Sequence, residues 1–141
     1  MELLVPVSAG ELVDKLTILQ IKIQRIADPA KRANVAVELD ALEVVAVRAG
    51  LGAGATTGTV AGTAAQAALA AARAELVGVN GELWEIEDRI RDCERAGEFG
   101  APFVALARSV YRTNDRRATL KAQINELCGS HLVEEKSYAA Y

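Results

Sequence analysis

The sequence predicts an all-α protein, an antiparallel helical bundle of about four helices arranged as two unequal helical hairpins. Three observations carry this expectation. Alanine, the strongest helix former, supplies 27 of the 141 residues. Apolar residues recur at alternating steps of three and four through the longer segments, which is the spacing of one helix face. Prolines, glycines and capping residues stand between those segments, where helices start and stop.

The elements follow in chain order. Residues 1–7 are apolar and carry Pro6, so they read as a short edge strand or an extended arm. Ser8-Ala9-Gly10-Glu11 fits a capping box, in which Ser8 accepts a backbone N–H and Glu11 reaches back. The first helix then runs over about 9–27, with Leu12, Leu16, Leu19, Ile23 and Ile26 forming one seam. Asp28-Pro29 caps a second helix over about 29–49, whose face is Val35, Leu39, Leu42 and Ala46. Residues 50–63, rich in glycine, alanine and threonine, read as a flexible linker.

A capping box at Thr63-Ala64-Ala65-Gln66 opens the third helix, over about 64–96. Its seam, which includes Leu69, Ala72, Leu76, Val79, Leu83 and Ile86, is the most regular in the chain. Gly78 and Gly81 interrupt it and predict a bend or a close helix contact near Asn80. Gly97 ends this helix and Pro102 opens the fourth, over about 102–128. The seam of the fourth helix is apolar at both ends, but its middle is Thr113 and Arg117. Polar side chains in the middle of a bundle seam either fix register or line a site, because burying them unpaired is costly. The tail, 130–141, lacks a helical period and is either a loose end or a docking segment using Tyr138 and Tyr141.

Length and charge bound the rest. The chain fits one domain with a real core. A net charge of −3 gives no basic footprint for nucleic acid. No apolar run approaches the ~20 residues that span a bilayer, and the start lacks a signal peptide's basic region. A cytoplasmic location is expected, with no membrane contact. Cys93 and Cys128 are expected to lie roughly 35 Å apart in the bundle register, too far for a disulfide.

In the same register, the acidic residues of the third helix (Glu82, Glu85, Glu87, Asp88, Asp92 and Glu94) fall opposite Arg108, Arg112, Arg116 and Arg117 of the fourth. Interhelical ion pairing is one reading. A ligand site is the other, since Arg108, Arg112 and Arg116 recur at every fourth position, a stripe able to grip phosphate or carboxylate. Glu11-x-x-Asp14 and Glu82-x-x-Glu85-x-x-Asp88 offer acids on successive turns for Mg²⁺, but Glu11 is explained by capping and the order does not suit a known carboxylate motif. A di-iron centre is disfavoured, as His131 is the lone histidine. No metal and no cofactor are expected.

Three stretches carry a resemblance: Ser8 to Leu19 (SAGELVDKLTIL), Leu83 to Asp88 (LWEIED), and Tyr111 to Arg117 (YRTNDRR) together with the tail Val133 to Tyr138 (VEEKSY). They resemble a family of small bacterial proteins catalogued only as a domain of unknown function. The resemblance covers most of the chain except the Gly/Ala/Thr linker. It implies no established activity, but it draws attention to Asp14, Lys15, Trp84, Asp88, Asn114, Asp115 and Arg116. With Arg112 from the stripe, these are the candidate ligand-binding residues. The leading expectation is a binding or interaction module, a homodimer with a polar patch at mid-bundle and a small anionic ligand. The competing expectation is a small enzyme acting on a phosphorylated or carboxylated metabolite.

Overall fold

The computed structural model describes residues 3–52 and 62–137 and contains four helices: α1 (Ala9–Arg25), α2 (Pro29–Arg48), α3 (Thr63–Ala96) and α4 (Ala101–Leu127). Among the described residues there is no strand. Leu3, Leu4, Val5 and Val7 are exposed and lie in no strand, so of the two readings for the N-terminus the edge strand is not found. Both boundary prolines sit at the start of their helices, where the missing N–H costs nothing.

The caps explain where the helices begin. Ser8 Oγ accepts the N–H of Glu11 at 3.2 Å, as the capping box requires. The return half of that box is not the bond that Glu11 makes: its carboxylate pairs with Lys121 of α4 at 2.6 Å. Asp28 accepts the N–H groups of Ala30 and Lys31 and caps α2. For α3 the expectation needs correcting. Gly62, not Thr63, is the cap, its carbonyl accepting the N–H of Gln66, and Thr63 already lies in the first turn. At the other end Gly97 adopts the left-handed conformation, φ 68°, and its N–H and that of Glu98 bond back to Glu94 and Cys93. That turn folds α4 back along α3, and Phe99 meets Phe103 edge-on at 5.4 Å at the tip.

The two hairpins exist, but they do not lie side by side as equals. α1, α3 and α4 all pack on one another, whereas among the described residues α2 packs along α1 and reaches α3 only through Glu43 beside Arg73. The core is therefore a three-helix bundle with α2 laid on its outside. Val13, Ala72, Leu76, Val79, Leu120 and Ile124 form its centre, contributed by α1, α3 and α4. Leu12, Leu16, Ala46 and Leu51 form a second cluster that attaches α2. Leu51 is buried there, its N–H bonds to Ala46 O at 2.7 Å, and its carbonyl accepts from Arg73 Nη1 at 3.0 Å. The expected linker thus begins with an anchored residue; its positions 53–61 lie outside the described residues.

Gly78 and Gly81 do not mark a close contact. A Cβ at either would meet open space, and α3 runs unbroken through both. The close approach is at Gly10 instead, where an added Cβ would stand 2.4 Å from the carbonyl oxygen of Lys121. Both cysteines are free and partly buried; burial pushes the Cys128 thiol up, which keeps it protonated and unreactive.

Candidate functional site

The break in the α4 seam is filled by polar partners from α1 and α3. Asp14 is 1% exposed, and its carboxylate receives Arg117 through both Nε (2.9 Å, to Oδ1) and Nη2 (to Oδ2). Asn80 Nδ2 donates to Asp14 Oδ1 and to Thr17 Oγ1, each at 2.8 Å, and Thr17 Oγ1 donates to Asp14 O at 2.8 Å. The fork-to-carboxylate geometry holds two charges in one orientation. The bond to Asp14 raises the Arg117 guanidinium despite its burial. Among the described residues, every buried side-chain polar atom has a partner.

One turn toward the hairpin tip, Thr113 Oγ1 donates to Glu82 Oε1 at 3.2 Å and Arg116 Nη1 donates to Glu82 Oε2 at 2.8 Å. These contacts match the register read from sequence, with α3 and α4 antiparallel. The broader expectation of acidic α3 against basic α4 holds at this point, and other acids of α3 pair elsewhere. Glu85 pairs with Arg25 of α1, Glu87 with Arg91 and Asp92 with Arg95 of its own helix. Four of the five acids considered for Mg²⁺ are likewise engaged by cations: Glu11 by Lys121, Asp14 by Arg117, Glu82 by Arg116 and Glu85 by Arg25.

The eight candidate residues occupy five places. Asp14 lies inside the bundle, reachable only through Arg117. Lys15, next to it in sequence, points to the opposite side and pairs with Glu38 of α2 at 2.7 Å. Trp84 and Asp88 line a groove of about 350 Å³ with Asn80, Arg117, Lys22 and Arg91, where the guanidinium of Arg117 forms the wall in front of Asp14. Arg112 and Arg116 line a different groove of about 320 Å³, with Arg108, Ser109, Thr113 and Glu82. Asn114 and Asp115 are half-buried on α4, and the carbonyl of Asp115 accepts Thr119 Oγ1 at 3.0 Å. The residues that organise the polar centre and were not among the eight are Thr17, Asn80, Glu82 and Arg117. The seam position of Arg117 was the available signal for it.

Charge distinguishes the two grooves. Beside Trp84, cations and acids alternate and Arg117 is neutralised by Asp14. Beside Arg112, three guanidinium groups face one carboxylate. Tyr111 registers that excess: hydrogen bonding from Arg108 and the nearby charges of Arg108 and Arg112 hold its phenol below the ordinary value of 10.0.

A third groove, about 290 Å³, lies at the far end of α4 between Lys121, Asn125, Val133 and Glu134. Lys121 is 8% exposed and bridges Glu11 (2.6 Å) and Glu134 (2.5 Å), so one ammonium holds the start of α1 and the tail together. The tail is thus tied down at Glu134, and Tyr138 and Tyr141 lie outside the described residues. Burial alone would lower the Lys121 ammonium, but its bonds to Glu11 and Glu134 outweigh this and raise it. The bond from Lys121 holds the Glu134 carboxyl below its ordinary value of about 4.5. A depressed carboxyl stabilises above its unfolded pKa and loses that contribution as pH falls through the folded value; the raised ammonium stabilises below its unfolded pKa and is lost only as pH climbs through its own raised value. The tail is therefore expected to detach in acid below pH ~4 and to stay in place through neutral pH. Hydrogen exchange of the 132–136 amides across pH 3–7 reads this, against Glu134→Gln, which should exchange at the detached level throughout. Protection that ignores both pH and Glu134→Gln contradicts the clasp.

Compared with known proteins, the chain matches no family model, no curated protein and no solved structure.

Proposed function

We propose that this protein is a cytoplasmic binding module whose ligand is a small phosphate- or carboxylate-bearing molecule, held in the groove of Arg108, Arg112 and Arg116. The observation that carries this reading is the gathering of three guanidinium groups, Arg108, Arg112 and Arg116, along one groove. Arg116 pairs with Glu82 there, and Arg108 and Arg112 both hydrogen-bond the Tyr111 phenol. Guanidinium forks match the spacing of phosphate and carboxylate oxygens and keep their charge at any physiological pH. Ser109 and Thr113 add hydroxyls on the same wall. The buried Asp14–Arg117–Asn80 layer lies under the middle of the helix pair and fixes how α4 is rotated, which sets the direction of the stripe.

The test is a titration of the full chain with inorganic phosphate and with succinate at constant ionic strength, followed by thermal unfolding. A ligand at ten times its Kd adds about 1.4 kcal/mol, or a shift of about 4 °C for a domain of this size. Arg112 is exposed, so Arg112→Ala should unfold within ~0.5 kcal/mol of the parent without ligand and lose the shift. An equal shift in Arg112→Ala, or none that saturates for either anion, overturns the proposal.

A further inference from the structure

α2 is apolar on two opposite faces, and only one of them is covered. Val35, Leu39, Leu42 and Ala46 turn toward α1. On the far side, at the same three-and-four spacing, lie Ala30, Ala33, Val37, Ala41 and Val44, all exposed. Val37 is 71% exposed and Val47, at the edge of this stripe, 67%. Among the described residues α1 is the one helix packed along α2, and Glu43 on its side also lies near Arg73 of α3. A helix with one packing partner needs one apolar stripe, and the second stripe is covered by none of the described residues.

The stripe has a direction. Its N-terminal half carries the small residues Ala30 and Ala33, and its C-terminal half the larger Val44 and Val47. Laid antiparallel on a second α2, Ala33 comes opposite Val44 and Ala30 opposite Val47, while Val37 falls against Asp40 and Ala41 of the other copy. Small meets large at both ends of the stripe, the arrangement that fills space between two helices. A parallel pairing sets valine on valine and alanine on alanine. Charge has the same direction. Exposed Asp28 stands at the N-terminus and exposed Arg48 at the last turn, 20 residues away, so the antiparallel arrangement brings Arg48 of each copy to Asp28 of the other. The helix dipoles also oppose favourably in that orientation.

We infer that the outer face of α2 is a two-fold, antiparallel interface with a second copy of this chain. It is isologous, each copy giving and receiving the same contacts. The stripe offers on the order of 500 Å² per copy, below the ~800 Å² of a standard interface, so the dimer forms and dissociates with concentration. The interface lies on a different helix from the arginine groove and does not rest on the ligand proposal.

Sedimentation velocity on the full chain from about 10 μM to 1 mM should show a monomer–dimer equilibrium with its midpoint inside that range. Val37→Glu with Val44→Glu, both at exposed positions, should remain monomeric at 1 mM with an unchanged thermal unfolding temperature. Orientation is read by cross-linking in a background lacking Cys93 and Cys128. Chains carrying Ala33→Cys mixed with chains carrying Val44→Cys should form a disulfide-linked pair, while neither species alone does. A wild-type monomer at 1 mM, a dimer that survives both glutamates, or self-cross-linking of each single-cysteine chain overturns the inference.

Discussion

Asp14→Ala is expected to lower stability by about 3–5 kcal/mol, because it leaves the Arg117 guanidinium and the Asn80 amide unpaired at the centre of the bundle. Domains of this size hold about 5–15 kcal/mol in all, so much of the fold's margin rests on one carboxylate. Arg117 retains 28% exposure, which lets water relieve part of the cost and places the value toward the lower end of the range. Replacing the pair together, Asp14→Leu with Arg117→Met, removes both charges and should recover most of the loss. Urea unfolding of the single and double variants checks this. If Asp14→Ala costs less than ~1 kcal/mol, the pair is not what joins α1 to the α3–α4 hairpin.

Gly10→Ala comes next in size, and its sign runs against the usual rule. In a helix, alanine is normally the better residue by about 1 kcal/mol. Here the new methyl carbon would stand 2.4 Å from Lys121 O, 2.9 Å from Lys121 C and 3.0 Å from Asn125 Oδ1. Two of these atoms are backbone and cannot turn aside. The helix must lift, and in lifting it stretches the 2.6 Å bond from the Gly10 N–H to Asn125 Oδ1. Overpacking of ~1–3 kcal/mol and about 1 kcal/mol for the strained hydrogen bond together outweigh the helix gain. Gly81→Ala supplies the contrast, because open space surrounds that position and the helical preference acts alone. Thermal unfolding should move down for Gly10→Ala and up for Gly81→Ala. Movement in the same direction for both refutes the close approach of α1 to α4.

What the sequence disclosed depended on the range of the interaction. The four helices were legible because spacing and caps act within a few residues, as at Ser8, Asp28 and Gly97. The pairing of α3 with α4 was legible because a short turn permits only an antiparallel return, and Glu82 duly meets Thr113 and Arg116. The polar break at Thr113 and Arg117 could also be seen. Its partner could not, since Arg117 and Asp14 are 103 positions apart and meet only once α1 is rotated correctly against the hairpin. Adjacent arginines differ by about 100° around a helix, so Arg117 enters the buried layer while Arg116 lines the outer groove. The place of α2 was hidden for a related reason: a short connection from α1 fixes that the two are neighbours, not on which side of α1 the second one lies. The glycine reading went to Gly78 and Gly81 because they interrupt a seam, while Gly10 was absorbed into a capping motif that fully accounted for it.

The bond from Gly10 to Asn125 spans 115 positions, and this sets an order of assembly. α3 and α4 are joined by a four-residue turn and can zip together with little loss of chain entropy. α1 is synthesised first, yet two of its three packing partners are the last helices to be made. Until they exist, Leu16 and Leu19 have no bundle to enter and Asp14 no guanidinium to meet. Each hairpin is closed by a short turn, so docking of the α1–α2 pair onto the α3–α4 hairpin is expected to be the late event, as when contacts are distant in sequence. During synthesis the N-terminal third waits for the rest of the chain, with α2 the one helix available to shelter α1.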